Sequence, residues 1–148
     1  MFGSNRLAAK AYARVGLETG VTAASPHKLI AMLFEGAMIA ILQAQNHMQA
    51  GQIAEKGQAI SKAISIIDSG LHASLNLEAG GEMAQNLDAL YGYMTQQLTQ
   101  AHIKNDPARL QEVHGLLADL KSAWDAIDPQ AAARAEVGTP QAFASAKA

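Results

Sequence analysis

The sequence predicts an all-α fold, an antiparallel up-down four-helix bundle with a short N-terminal helix and a C-terminal tail expected to be disordered. Three observations lead there. The composition is 49% hydrophobic yet only 5% aromatic, and Ala, Leu, Gln and Met outweigh the β-branched residues, a mixture that favours helix over sheet. Apolar residues recur at spacings of three and four, the period of one helical face. Helix start and stop signals divide the chain into segments of bundle length.

The elements follow in chain order. Residues 5–15 form a short amphipathic helix carrying Leu7, Ala11, Tyr12 and Val15, and residues 16–24 read as a linker. Ser25-Pro26 opens the first long helix: serine accepts from first-turn amides, and proline is tolerated at the first helical position. That helix runs to about Ala50 and stops at Gly51, a residue suited to the left-handed conformation past a helix end.

A second helix is expected from Ile53 to Glu78, ended by Gly80-Gly81, and a third from Glu82 to Asn105. Asp106-Pro107 repeats the cap-plus-proline start, and the fourth helix ends near Ile127. Short loops make consecutive helices antiparallel neighbours. Segments of about 22–26 residues at about 1.5 Å rise would be about 35 Å long. Residues 1–127 therefore read as one domain and residues 128–148 as a tail poor in large apolar residues, a composition that cannot bury a core.

The apolar surface is unevenly distributed. The fourth helix carries one stripe, Leu110, Val113, Leu117, Leu120, Trp124 and Ile127, which a single core-facing seam explains. The second carries two. Ile60, Ile64, Ile67, Leu71 and Leu75 form one seam; Ala63, Ile66, Gly70, Ala73 and Leu77 form another. At about 100° per residue the seams lie about 110° apart and together span about 200°, wider than a single neighbour needs. Either two bundle neighbours cover both seams, or one seam is a groove for a partner helix.

Five methionines, Met32, Met38, Met48, Met83 and Met94, suit an irregular core or an adaptable binding surface. Gly36, Gly57, Gly70, Gly92 and Gly115 lie inside helices, where each costs about 0.8–1 kcal/mol relative to Ala. Close helix approach, or a flat face admitting a partner helix, would offset that cost.

Composition excludes several chemistries. The chain has no cysteine, so it has neither a disulfide framework nor a thiolate metal site. Arg6, Lys10 and Arg14 interrupt any apolar leader, and no run approaches the roughly 18 apolar residues of a membrane span. A cytoplasmic address without membrane insertion is expected. The net charge is −2, and without a basic stripe nucleic-acid binding is not expected.

A di-iron bundle needs Glu-x-x-His on facing helices, and here no glutamate has histidine three residues on. The five histidines are scattered, and none marks a phosphotransfer site. No Gly-x-Ser-x-Gly or phosphate-cradling loop is present. The sequence points to a binding protein without cofactor, metal or catalytic residue.

Two blocks carry a resemblance. Residues Ala24-Ser25-Pro26-His27-Lys28-Leu29-Ile30-Ala31-Met32-Leu33-Phe34-Glu35-Gly36-Ala37 form one, and Leu77-Glu78-Ala79-Gly80-Gly81-Glu82-Met83-Ala84-Gln85-Asn86-Leu87 with Leu90-Tyr91-Gly92-Tyr93-Met94 the other. Together with Ala11-Tyr12, Lys62-Ala63-Ile64, Ile67-Asp68 and Asn105-Asp106-Pro107 through Trp124, they are similar to the flagellar secretion chaperones of the FliS family, over about residues 8–127. Glu35 and Gly92 stand where that family often has aspartate, and Phe34 where tyrosine is common.

The resemblance implies a bundle that binds the disordered C-terminal segment of flagellin, prevents premature polymerisation and keeps it competent for flagellar type III secretion. The export gate of the flagellar secretion apparatus is the second implied partner, and the free form is expected to be a monomer or weak dimer. Contact residues chosen on this basis are Tyr12, Leu33, Phe34, Ile66, Gly70, Leu77, Tyr91 and Met94. The amphipathic stretch around Leu7 and Tyr12 is a candidate cover for the empty groove. The rival reading is a structural bundle that buries its surplus apolar surface by homodimerising.

Overall fold

In the computed structural model, residues 25–129 are described; the expected N-terminal helix, the linker and most of the tail lie outside them. Helix α1, Pro26–Gln49, opens as its cap residues dictate: Ser25 Oγ accepts from the Lys28 amide at 3.1 Å, and Pro26 takes the first position. Leu29, Leu33, Ala37, Ala40, Ile41, Ala44 and Met48 form its inward face. Gly51, at φ 71°, makes the turn that reverses the chain. By length and composition alone α1 could cross a membrane, closer to that limit than the sequence reading allowed. Its apolar residues are those of a core helix packed between two neighbours.

Helix α2, Ile53–Ser65, is shorter than the sequence predicts. It widens into a π-helical turn at Ile66–Leu71, tightens to a 3-10 turn at His72–Ser74 and breaks at Leu75, whose ψ is 139°. The expected continuation to Glu78 fails because Asn76 starts the next helix instead, its side chain accepting from the Ala79 amide at 3.0 Å. Helix α3, Leu77–Lys104, therefore absorbs Gly80-Gly81 rather than following it. Gly81, at φ 58° and ψ −138°, kinks its first turn, a conformation that only glycine adopts without strain.

The C-terminus of α3 closes on Asn105 in the left-handed region, φ 52°. Buried Lys56 of α2 reaches across to it. Its Nζ donates to the Asn105 Oδ1 at 2.9 Å and to the His102 carbonyl at 3.2 Å, satisfying groups that a helix end leaves open. Helix α4, Pro107–Ala126, starts on Asp106, which accepts from the Ala108 amide at 3.1 Å.

Helix α1 packs on α2 and α4, while α3 packs on α4 and α2, so the four helices enclose one core. Leu29, Leu33, Ile41, Ile66, Ile67, Met94, Leu98, Leu110, Val113 and Leu117 are fully inside, and burying each side chain contributes about 1.5–3 kcal/mol. The two seams of the second helix are answered by two neighbours over residues 59–71. Ile66 and Ile67 are both buried, as are Gly70 and Leu71. The wider π turn is where the two seams enter the core together.

Candidate partner-binding groove

Past Leu71 the match between apolar surface and neighbours fails, and a groove of about 450 Å³ opens at the end of the bundle where α1 begins and α4 stops. Ile30 and Phe34 of α1 form one side. Leu71, Ser74 and Leu75 form the next; Met83, Leu87 and Tyr91 of α3 the third. The last is made by Leu120, Ala123, Trp124 and Ile127 at the end of α4. The floor is tight, with Leu71, Phe34 and Tyr91 only 2%, 3% and 4% exposed. The rim is open: Met83 is 74% exposed and Ile127 66%.

The lining contains no charged group, and its polar atoms are few. The Ser74 hydroxyl is already committed to the Gly70 carbonyl at 2.7 Å. Burial pushes the Tyr91 phenol up from 10.0 to about 12, so it stays neutral at any physiological pH. Trp124 is held from behind. Its indole Nε1 donates to the His27 carbonyl at 2.9 Å, and the His27 ring stacks on it with centroids 4.3 Å apart.

Beside the groove, His72 ties the 3-10 turn to its surroundings. Its Nε2 bonds the Asp88 carboxylate of α3, and its Nδ1 lies 3.6 Å from Asp68. Farther along α3, Tyr93 donates to Glu112 of α4 at 2.6 Å, and that bond raises the phenol pKa above 10.0. Such a concave, apolar, uncharged surface can bury hydrophobic side chains of a ligand or segment. Among the described residues no group of three or more His, Cys, Asp or Glu is placed to hold a metal ion.

The residues singled out from the sequence divide into groups. Phe34 and Tyr91 stand in the groove wall. Leu33, Ile66 and Met94 have 0% exposure and belong to the core of this closed bundle, so they touch no partner directly in it. Gly70 is also buried, against Leu33, where an added Cβ would lie 3.0 Å from Leu33 Cδ2. Leu77 is 44% exposed but lies outside the groove lining. Tyr12 lies outside the described residues.

Several lining residues went unselected. Leu71 and Leu75 were read as part of one seam, and Leu120, Trp124 and Ile127 as the end of a core stripe. The available signal was that stripe's length: its last turn is only partly covered, Trp124 by His27 of α1 and Ile127 left 66% exposed.

Comparison with known proteins agrees with this architecture. A family described as "Flagellar protein FliS" matches residues 8–131. The chain is 50% identical to the "Flagellar secretion chaperone FliS" of Salmonella typhimurium over 122 residues, 82% of this chain and 90% of that protein. It is 45% identical to the protein of the same name from Vibrio cholerae, over 82% of this chain and 88% of the relative. For the Bacillus subtilis protein of that name, identity is 34% over 72% of this chain and 78% of the relative. With a match spanning most of its length and an all-α bundle to carry it, the chain belongs to the FliS family of flagellar proteins.

Proposed function

We propose that this protein binds the disordered C-terminal segment of flagellin in its apolar groove, holding the subunit unpolymerised in the cytoplasm and competent for flagellar type III secretion. The coarser role, a flagellar export chaperone, follows from the family; its relatives bear the name of chaperones, not of enzymes. The observation that carries the finer reading is the uncharged groove lined from α1, α3, α4 and the 71–75 segment. An amphipathic helix laid into such a groove buries its apolar face.

Ordering a flexible segment costs about 2–5 kcal/mol. Burying about 200 Å² of apolar area, at about 25 cal/mol per Å², offsets about 5 kcal/mol. Phe34 and Tyr91 would contact the segment directly. Leu33, Ile66, Gly70 and Met94 would support the floor from behind, and Leu77 and Tyr12 would extend the contact beyond it. The stretch around Leu7 and Tyr12 would cover the groove when it is empty. Residues 1–127 act in this reading as one chaperone domain, and the export gate receives the loaded complex.

Calorimetric titration with the C-terminal segment of the same organism's flagellin tests the proposal. Saturable one-to-one binding with a negative heat-capacity change is expected. A folded, monomeric protein that takes up no segment overturns it.

A further inference from the structure

The stretch from Ile66 to Gly81 departs most from regular helix among the described residues. A π turn is followed by a 3-10 turn, an extended Leu75, a single helical turn and the kink at Gly81. Its two ends are anchored differently from its middle. Upstream, Leu71 is buried and Gly70 abuts Leu33. Downstream, the core resumes at Ala84, which is 5% exposed. Between them every residue from Asn76 to Met83 is exposed, and a Cβ added at Gly81 would meet nothing within 4 Å. Few buried contacts and irregular backbone mark the low-stability end of a structure.

Besides the packing of the π and 3-10 turns on α3 and of Leu75 on the core, one side-chain hydrogen bond among the described residues ties this stretch to α3, that from His72 to Asp88, supported by Asp68 on the far side of the ring. Both side chains of the pair are 41% exposed. Ser74 and Leu75, just past His72, stand in the groove wall. Groove width therefore depends on where this stretch lies.

We propose that residues 72–81 are a strap, free to swing between the π turn and Gly81, which the His72–Asp88 pair latches against α3 and which lifts to admit the incoming segment. The proposal rests on the reading of the groove as the flagellin site, and it adds a positioning role for two residues outside the groove. A part-exposed pair of this kind is worth up to about 1 kcal/mol, so breaking it should raise strap opening about fivefold.

Native-state hydrogen exchange on the free full-length protein decides the matter without any partner. Amides of residues 75–83 should exchange far faster than those of 91–101. Asp88→Ala should accelerate residues 72–83 about fivefold and leave 91–101 unchanged; His72→Phe, which removes the same tie from the other side, should do likewise. Equal protection of the two regions, or an acceleration spread evenly over the bundle, overturns the strap.

Stopped-flow mixing with the flagellin C-terminal segment, read by Trp124 fluorescence, adds the functional arm. The rate should level off as segment concentration rises, at a ceiling that Asp88→Ala lifts. A rate linear in concentration and equal in both proteins sinks the gating role. If the segment fails to bind, the flagellin reading falls, while hydrogen exchange still decides whether the strap exists.

Discussion

Trp124, at the end of α4, and His27, in the first turn of α1, are joined twice: by the indole-to-carbonyl bond of 2.9 Å and by rings stacked 4.3 Å apart and inclined by only 8°. The bond spans 97 positions of sequence and fastens the open end of the bundle beside the groove. Trp124→Phe keeps a ring for stacking and removes the donor. It should cost about 1 kcal/mol, measured by urea unfolding followed by circular dichroism. An unchanged midpoint would mean that the bond contributes nothing to the fold.

Two rim residues offer a test of the groove that spares the core. Met83 and Ile127 are largely exposed, so Met83→Asp and Ile127→Asp should leave thermal stability within about 0.5 kcal/mol of the parent. Each places a charge beside an apolar floor, where an incoming aliphatic side chain would strip its water. Affinity for the flagellin segment should fall at least about tenfold in calorimetry. Retained affinity in both variants would move the contact elsewhere.

Gly70 and Gly92 should respond oppositely to alanine. At Gly70 the new methyl would sit 3.0 and 3.2 Å from the Leu33 methyl carbons. Leu33 is wholly buried, so overpacking of about 1–3 kcal/mol is expected. At Gly92 nothing lies within 4 Å, and alanine should stabilise the helix by about 0.5–1 kcal/mol. Chemical denaturation of both variants checks the contrast, and equal signs would refute it.

The cap supplied by Lys56 is a third stability test. Lys56→Met keeps the aliphatic stem and leaves the His102 carbonyl and Asn105 side chain without their donor. The bonds are part-buried and Asn105 is exposed, so the loss should be about 0.5–1.5 kcal/mol per bond. Hydrogen exchange should place the damage in the last turn of α3. Uniform loss across all four helices would contradict a capping role.

Tyr91 predicts a limb of alkaline instability. Burial raises its folded pKa to about 12, above the ordinary phenol value of 10.0, so the folded state holds that proton more tightly than the unfolded chain. The corresponding stability is fully present below pH 10 and is lost as pH rises from 10.0 towards about 12. A two-unit shift corresponds to at most about 3 kcal/mol. Urea midpoints measured from pH 9 upward should fall, and Tyr91→Phe should flatten the fall.

How much of this was readable in the residues varies from element to element. Caps made α1 and α4 plain, because Ser25-Pro26 and Asp106-Pro107 act through local hydrogen bonds. The end of α2 was misplaced because Gly80-Gly81 is the stronger local signal, whereas the break at Leu75 depends on tertiary packing of the seam residues and on Asn76 serving as a cap. Burial at Leu33, Ile66 and Met94 was equally hidden: periodicity identifies an apolar face without naming its neighbour. Phe34 and Tyr91 were found through family resemblance, while Trp124 and Ile127 were hidden in a regular stripe whose last turn only the arrangement of the other helices leaves partly uncovered.

The pairing of His27 with Trp124 also fixes where the rest of the polypeptide is attached. Residues 1–24 join at Ser25, five positions before Ile30 of the groove, and residues 130–148 at Pro129, two positions after Ile127 of its rim. An apolar tag or dye joined next to Ser25 or Pro129 is thus held within a few residues of the groove, and one with any affinity for it competes with a ligand at high effective concentration. The turn at Gly51, a helix length of about 35 Å away, is the sounder place for a reporter.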